Sequence, residues 1–145
     1  MAKADYPLSQ KEYWAIYKKI PRLTVEVVVK SDKGVLLSLR NIEPCKGLWH
    51  LPGGMVFFGE RLTEAVARVA KRELGIQVTH TKLLGYIDYP SHYKKGLDSP
   101  VGIAFEVGYT GSIKPNKESS KLEWFKQLPS NMHPDQDEFL ETNVL

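Results

Sequence analysis

The sequence predicts an α+β fold in which a sheet carries helices, with residues 1–145 forming one domain. Three observations predict it. The chain has 145 residues, 42% of them apolar and 26% charged, which suits one ordinary globular core. Several short runs are rich in β-branched residues and are bounded by turn signals. One amphipathic helical segment, 61–74, stands among these runs, with strands on either side and a terminal helix after them, which suggests α+β or a helix–sheet sandwich.

Taken in order, Ser9 suits an N-cap for a helix from Gln10 to Lys19, with Tyr13, Trp14, Ile16 and Tyr17 on its apolar face. Pro21 ends it, so residues 1–21 form an N-terminal helical extension. Leu23 to Val29 (LTVEVVV) reads as a strand, and Asp32-Lys33-Gly34 turns the chain into a second strand, Val35 to Leu39. The two are expected to pair as a hairpin. Residues 41–49 are a loop, and Gly53-Gly54 after Pro52 marks a turn with close backbone approach. Helix 61–74 follows, with Gly75 in the position of a C-terminal cap. Leu83 to Tyr89, Val101 to Tyr109 and Leu122 to Phe125 are further strands. Pro134 to Thr142 reads as a closing helix, with acidic residues in its first turn.

Charge and cysteine usage exclude several function classes. The net charge is +3 and the 20 basic residues are scattered, so no nucleic-acid partner is expected. The single cysteine, Cys45, excludes an intrachain disulfide. It lies in a loop without a histidine close in sequence, so no catalytic thiol is expected. The segment MAKADYPLSQKEYW has no apolar signal core, and no run approaches the ~18 apolar residues of a membrane span. The expectation is a cytoplasmic protein with no membrane partner.

At about 100° per residue, Leu62, Ala65, Val66 and Val69 form the buried stripe of the central helix. Glu73 falls in the same sector. A carboxylate there needs a cation, a metal ion or the frayed end of the helix. The glycine-rich turn before the helix favours an anion or metal site, though helix N-termini attract anions generally.

Residues 53–76 (GGMVFFGERLTEAVARVAKRELGI) resemble the Nudix box, G-x5-E-x7-R-E-U-x-E-E-x-G-U with U aliphatic. Gly54, Glu60, Arg68, Glu73, Gly75 and Ile76 are in register, a coincidence on the order of one in a million per window at ordinary residue frequencies. Trp49-His50-Leu51-Pro52-Gly53-Gly54 resembles the approach common in that family. Leu122-Glu123-Trp124-Phe125 resembles its late strand. The resemblance implies a Nudix-type α/β/α sandwich with a mixed sheet and one central box helix.

Two acidic positions of the box are missing: Val69 and Arg72 stand where the family has glutamate. One branch, the GDP-mannose mannosyl hydrolases, shares that loss. Helix 10–19, Pro21, the strand with Glu26 and the strand ending in Arg40 also resemble that branch, and the likeness is closest over the first 76 residues. The branch displaces GDP at the anomeric carbon of the sugar. The resemblance therefore implies a hydrolase of a nucleoside-diphosphate sugar or a related nucleoside diphosphate derivative. It implies one Mg²⁺ (or Mn²⁺) held by Glu73, the Gly54 carbonyl and substrate phosphates, with Glu60 a further candidate ligand. Arg68 and Glu73 are carried over as catalytic positions, and Glu26, Arg40 and Arg72 as substrate-binding ones, although Arg72 can equally point outward. The branch's histidine base falls on Ser119, beside Glu118, and its basic residue after the double glycine falls on Met55. His92 and Glu123 are the replacement candidates for the base; the bland readings are an exposed loop histidine and the solvent side of a strand. The alternatives are a pyrophosphohydrolase using Glu60, Glu73 and Glu123, and a nucleotide-binding module without catalysis. The branch is dimeric, and the aromatic face of the first helix fits a homodimer.

Overall fold

A computed structural model describes residues 6–116 and 119–145 of the chain. Helix α1 (Gln10–Tyr17) starts at Ser9, whose hydroxyl accepts the Glu12 N–H while the Glu12 carboxylate accepts the Ser9 N–H, a reciprocal capping box. Strand β1 (Arg22–Val28) follows, then β2 (Lys30–Ser31), β3 (Gly34–Arg40), β4 (Trp49–His50) and β5 (Gly53–Met55). Helix α2 (Leu62–Leu74) ends on Gly75, which takes the left-handed conformation at φ 71°. Strand β6 (Gln77–Asp88), the short helix α3 (Pro90–Tyr93), β7 (Pro100–Thr110), β8 (Ser119–Phe125) and α4 (Asp137–Asn143) complete the chain.

The expected hairpin of 23–29 with 35–39 does not form as such. β1 lies inside one sheet, ordered β5-β1-β7-β6, with β7 parallel to it and β5 antiparallel. β3 belongs to a second sheet, flanked by β8 along one side and by β2 and β4 along the other. The reason is in the sequence of β1. Val25, Val27 and Val28, with Val29 just after them, are fully buried on alternating sides, as in a strand covered on both faces and paired on both edges. Only Lys30 and Ser31 remain to pair with β3, helped by the Leu36 N–H donating to the Val29 carbonyl at 3.0 Å.

The alternation of β1 divides the core into layers. Val25, Val27 and Val29 pack with Ala65, Val66, Val69, Ala70 and Leu74 of α2. Val28 packs on the other side with Leu140 and Val144 at α4. The sheets are thus held between α2 and α4, with a mixed sheet in the middle. The closing helix is shorter than expected and begins at Asp137, after Gln136, whose side chain is buried; Glu73, at the far end of α2, has 16% of its side chain exposed.

Candidate active site

A cavity of about 370 Å³ opens between α1, the glycine turn, the cavity-facing side of α2 and the loops after β3 and β6. Its polar floor is Glu26. The carboxylate is buried and accepts hydrogen bonds from the Tyr89 hydroxyl at 2.9 Å and the Thr24 hydroxyl at 3.1 Å. Gly53 is paired opposite it in β5, where any Cβ would meet Glu26 Oε2 at 2.2 Å. Gln136 completes the floor: its side-chain amide donates to the Tyr89 oxygen at 2.8 Å and its carbonyl accepts the Leu51 N–H at 2.8 Å. Burial pushes the Glu26 carboxyl up to about 7, against the lowering effect of its Tyr89 and Thr24 bonds.

The box residues divide by what they touch. Arg68 donates to both oxygens of Glu60, at 2.7 and 3.0 Å, and to the Met55 carbonyl at 2.6 Å. Its guanidinium also lies 3.7 Å from the centre of the Phe57 ring. Glu60 further accepts the Phe57 N–H at 3.0 Å, and the Arg68 bond holds its carboxyl below the usual value. This pair fastens the glycine turn to α2, and the Glu60 carboxylate is committed to it. Glu73 lines the cavity, with the Asn116 amide donating to its Oε2 and the Arg72 Nε 3.9 Å away. Arg72 lines the cavity too, as does Arg40, whose Nε donates to the Pro44 carbonyl. Val69 is 2% exposed and sits against Gly54, so the position of the lost glutamate is filled by packed methyl groups.

That donor set limits any metal. Among the described residues, no acidic cluster of three or more ligand groups occurs in the cavity; the one such group is Cys45, His92 and His133. Glu73 and Gly54 both line the cavity, and a lone carboxylate suits a single hard cation that takes its remaining ligands from water and phosphate. The described residues offer no group of three carboxylates for a cluster of two or three ions.

The replacement bases are separated by the fold. Glu123 lies on β8, 48% exposed, with Lys121 Nζ 3.5 Å from its Oε1, and it does not line the cavity. His92 lines the cavity, and its Nδ1 is 3.0 Å from Asp98 Oδ1. Burial pulls His92 down, but the bonds to Asp98 and Cys45 outweigh it and raise the imidazole to about 9. The raised value favours the protonated ring, which donates. Ser119 begins β8, and Glu118 lies outside the described residues.

Sequence reading missed several participants. Asp98 accepts from the Tyr13 hydroxyl at 2.6 Å and from Arg22 at 2.7 Å, which seals α1 to the cavity wall. The aromatic face of α1 is thus used within its own chain, at least at Tyr13. Cys45 and His133 meet His92, although 47 and 41 residues separate each from it. No local signal marks that convergence; it depends on three loops meeting.

Comparison with known proteins agrees with this architecture. A family model described as the NUDIX domain matches residues 20–142. The low-salt glycan biosynthesis protein Agl8 of Haloferax volcanii is 35% identical, over 96% of this chain and 94% of its own. An ADP-ribose pyrophosphatase of Methanocaldococcus jannaschii is 34% identical, over 72% of this chain and 62% of its own. The crystal structure of a MutT NUDIX hydrolase from Burkholderia pseudomallei superposes with a TM-score of 0.77 at 27% identity, covering 84% of this chain and 97% of that one. No helix among the described residues is long and apolar enough to cross a membrane.

Proposed function

The chain belongs to the Nudix family of hydrolases, and from that premise we propose that it hydrolyses a nucleoside-diphosphate sugar, or a related nucleoside diphosphate derivative, by attack of water at the glycosyl carbon. The observation that carries this reading is the cavity-facing side of α2. It retains one box carboxylate, Glu73, and presents Val69 and Arg72 where the family has two more. Attack at phosphorus needs strong neutralisation at the atom under attack, which clustered carboxylates supply through several cations. Attack at carbon leaves the diphosphate only as a departing group, and one cation with guanidinium donors is enough.

Glu73 and the Gly54 carbonyl would hold that cation, Mg²⁺ or Mn²⁺, which when bound lowers the charge of the leaving diphosphate. The chain's own residues supply the rest. Arg40 and Arg72 line the cavity and suit bidentate contacts to phosphate oxygens. Arg68 acts through the turn it fastens, positioning Gly54 and the start of α2. Glu26, held between protonation states near neutral pH at the cavity floor, suits a sugar hydroxyl or the proton of the attacking water. The similarity to a protein named for glycan biosynthesis supports a sugar-bearing substrate.

Turnover of nucleoside-diphosphate sugars in ¹⁸O-labelled water tests the reading. Label is expected in the released sugar. Label in phosphate would overturn attack at carbon and favour the second reading, a pyrophosphohydrolase, which the similarity to an ADP-ribose pyrophosphatase supports. Divalent-cation-dependent turnover that Glu73→Gln abolishes would exclude a purely binding module.

A further inference from the structure

We propose that Cys45 is a reactive thiolate, a modification site in the cavity wall whose sulfur is held by His92 and His133 and is oxidised by a hydroperoxide to a sulfenic acid. The inference is independent of which bond the hydrolase cleaves.

Proton placement carries the argument. Asp98 accepts from Arg22 at 2.7 Å and from the Tyr13 hydroxyl at 2.6 Å, and these bonds with His92 outweigh burial and hold its carboxyl well below the usual range. Being ionised, it can only accept, so the His92 Nδ1 at 3.0 Å bears a proton. The Asp135 N–H donates to His133 Nδ1 at 3.2 Å, which puts the His133 proton on Nε2. That Nε2 faces the Nε2 of His92 at 3.1 Å, and the His92 Nε2 is 3.8 Å from Cys45 Sγ. With His92 neutral, the His133 Nε2–H donates to His92 Nε2. When the Cys45 proton passes to His92 Nε2 that bond is given up, and the sulfur faces an imidazolium whose Nδ1–H is held by Asp98, the surroundings that stabilise a thiolate.

Two further observations agree. The hydrogen bonds from His133 and then His92 outweigh burial and pull the Cys45 thiol down to about 6. Cys45 also has φ 68°, a left-handed backbone that L side chains rarely adopt. The Gly47 N–H to Arg40 carbonyl bond at 2.8 Å and the Leu48 N–H to Cys45 carbonyl bond at 3.1 Å close the loop around it.

The three ligand atoms lie within 4.8 Å of one another, and a metal ion is the competing occupant. A metal at His133 Nε2 would have to displace the proton that the Asp135 N–H fixes there, leaving both ring nitrogens as acceptors. The Asp135 bond therefore disfavours a metal at His133 and leaves the sulfur paired with His92.

In the reaction, the thiolate sulfur attacks the O–O bond of the hydroperoxide. An S–O bond forms, the O–O bond breaks, and the departing oxygen takes the Nε2 proton of His92 to leave as water or an alcohol. Sulfur is oxidised by two electrons and the peroxide is reduced by two. The chain has one cysteine. The sulfenic acid therefore resolves against an external small thiol, losing water to form a mixed disulfide that thiol exchange reverses.

The test is alkylation of the full chain by iodoacetamide, followed by intact mass, from about pH 5 to about pH 9.5 in the presence of a chelator. The rate is expected to titrate near pH 6, where a free cysteine titrates near ~8.5. At about pH 6.5 the thiolate fraction is then roughly 75-fold larger, its nucleophilicity roughly 15-fold lower, and the net rate about 5-fold higher than for a free cysteine. His92→Gln and His133→Gln should each move the inflection towards the ordinary thiol value, and if one does not fold the other carries the comparison. Hydrogen peroxide followed by dimedone should give one adduct, absent in Cys45→Ser. An inflection at or above about pH 8 in the unaltered protein, or one unmoved in the folded histidine variants, would overturn the proposal. So would stoichiometric Zn²⁺ that blocks alkylation in the unaltered protein but not in His133→Gln, since the cluster would then be a metal site.

Discussion

Replacing Glu26 by glutamine should remove a pH-dependent cost at the centre of the fold. Burial raises the carboxyl from 4.5 to about 7 in the folded state, opposed by the bonds from Tyr89 and Thr24. The difference, about 2.5 units at ~1.4 kcal/mol each, corresponds to roughly 3 kcal/mol. Because the folded value lies above the unfolded one, this contribution to stability is fully present below about pH 4.5 and is lost as the pH rises through about 7. Glutamine has nearly the same shape, and its carbonyl can still accept from Tyr89 and Thr24. Urea unfolding of both proteins at about pH 4 and about pH 8, without divalent cations, gives the difference in stability at each pH. That difference should move by about 3 kcal/mol in favour of Glu26→Gln from the lower pH to the higher. A difference that does not change with pH, or that moves the other way, would refute the reasoning about burial.

Glu73→Gln should reduce turnover by at least about 100-fold while leaving the thermal melt close to that of the unaltered protein, because Asn116 can still bond the residue's side-chain oxygen. Arg68→Ala loses two bonds to Glu60, one to Met55 and the Phe57 face, and should cost about 2–3 kcal/mol, read as a melt lowered by roughly 5–10 °C. Gly53→Ala should destabilise by about 2 kcal/mol or more, since the new methyl meets the Val25 carbonyl at 2.8 Å as well as Glu26, and backbone cannot swing aside. Glu123→Gln should leave kcat and KM unchanged, and a tenfold fall in kcat would return that residue to the reaction.

The signals that could be read in the sequence were local ones. Ser9 marked the start of α1, where the structure adds Glu12 to the cap, and Gly75 marked the end of α2, because capping depends on residues a few positions apart. The valines of β1 announced a strand but not its partners. Pairing with residues 53–55 and 100–106 is a tertiary choice, so the expected hairpin gave way to two sheets. The spacing of the box located Glu73 and Arg68, and the structure then separates them by role: one lines the cavity while the other fastens the turn. Glu26 was visible as an acid in an apolar strand, yet Tyr89, which bonds it, and Gln136, which bonds Tyr89, come from positions 63 and 110 residues away. The Cys45 cluster carried no sequence signal at all. The residue was set aside for want of a nearby histidine, and folding supplied two.

The parallel pairing of β1 with β7 also constrains how the chain reaches its native state. β1 is made early, but its parallel neighbour begins at Pro100, with 71 residues between the end of one and the start of the other. Until that neighbour emerges, a flat valine-rich edge stands open, and an open edge is a template for another nascent chain. Contacts of such long range place this domain among slow folders. Fragments that stop before residue 100 should therefore collect as insoluble material, whereas chains that continue through Thr110 have the means to close the edge themselves.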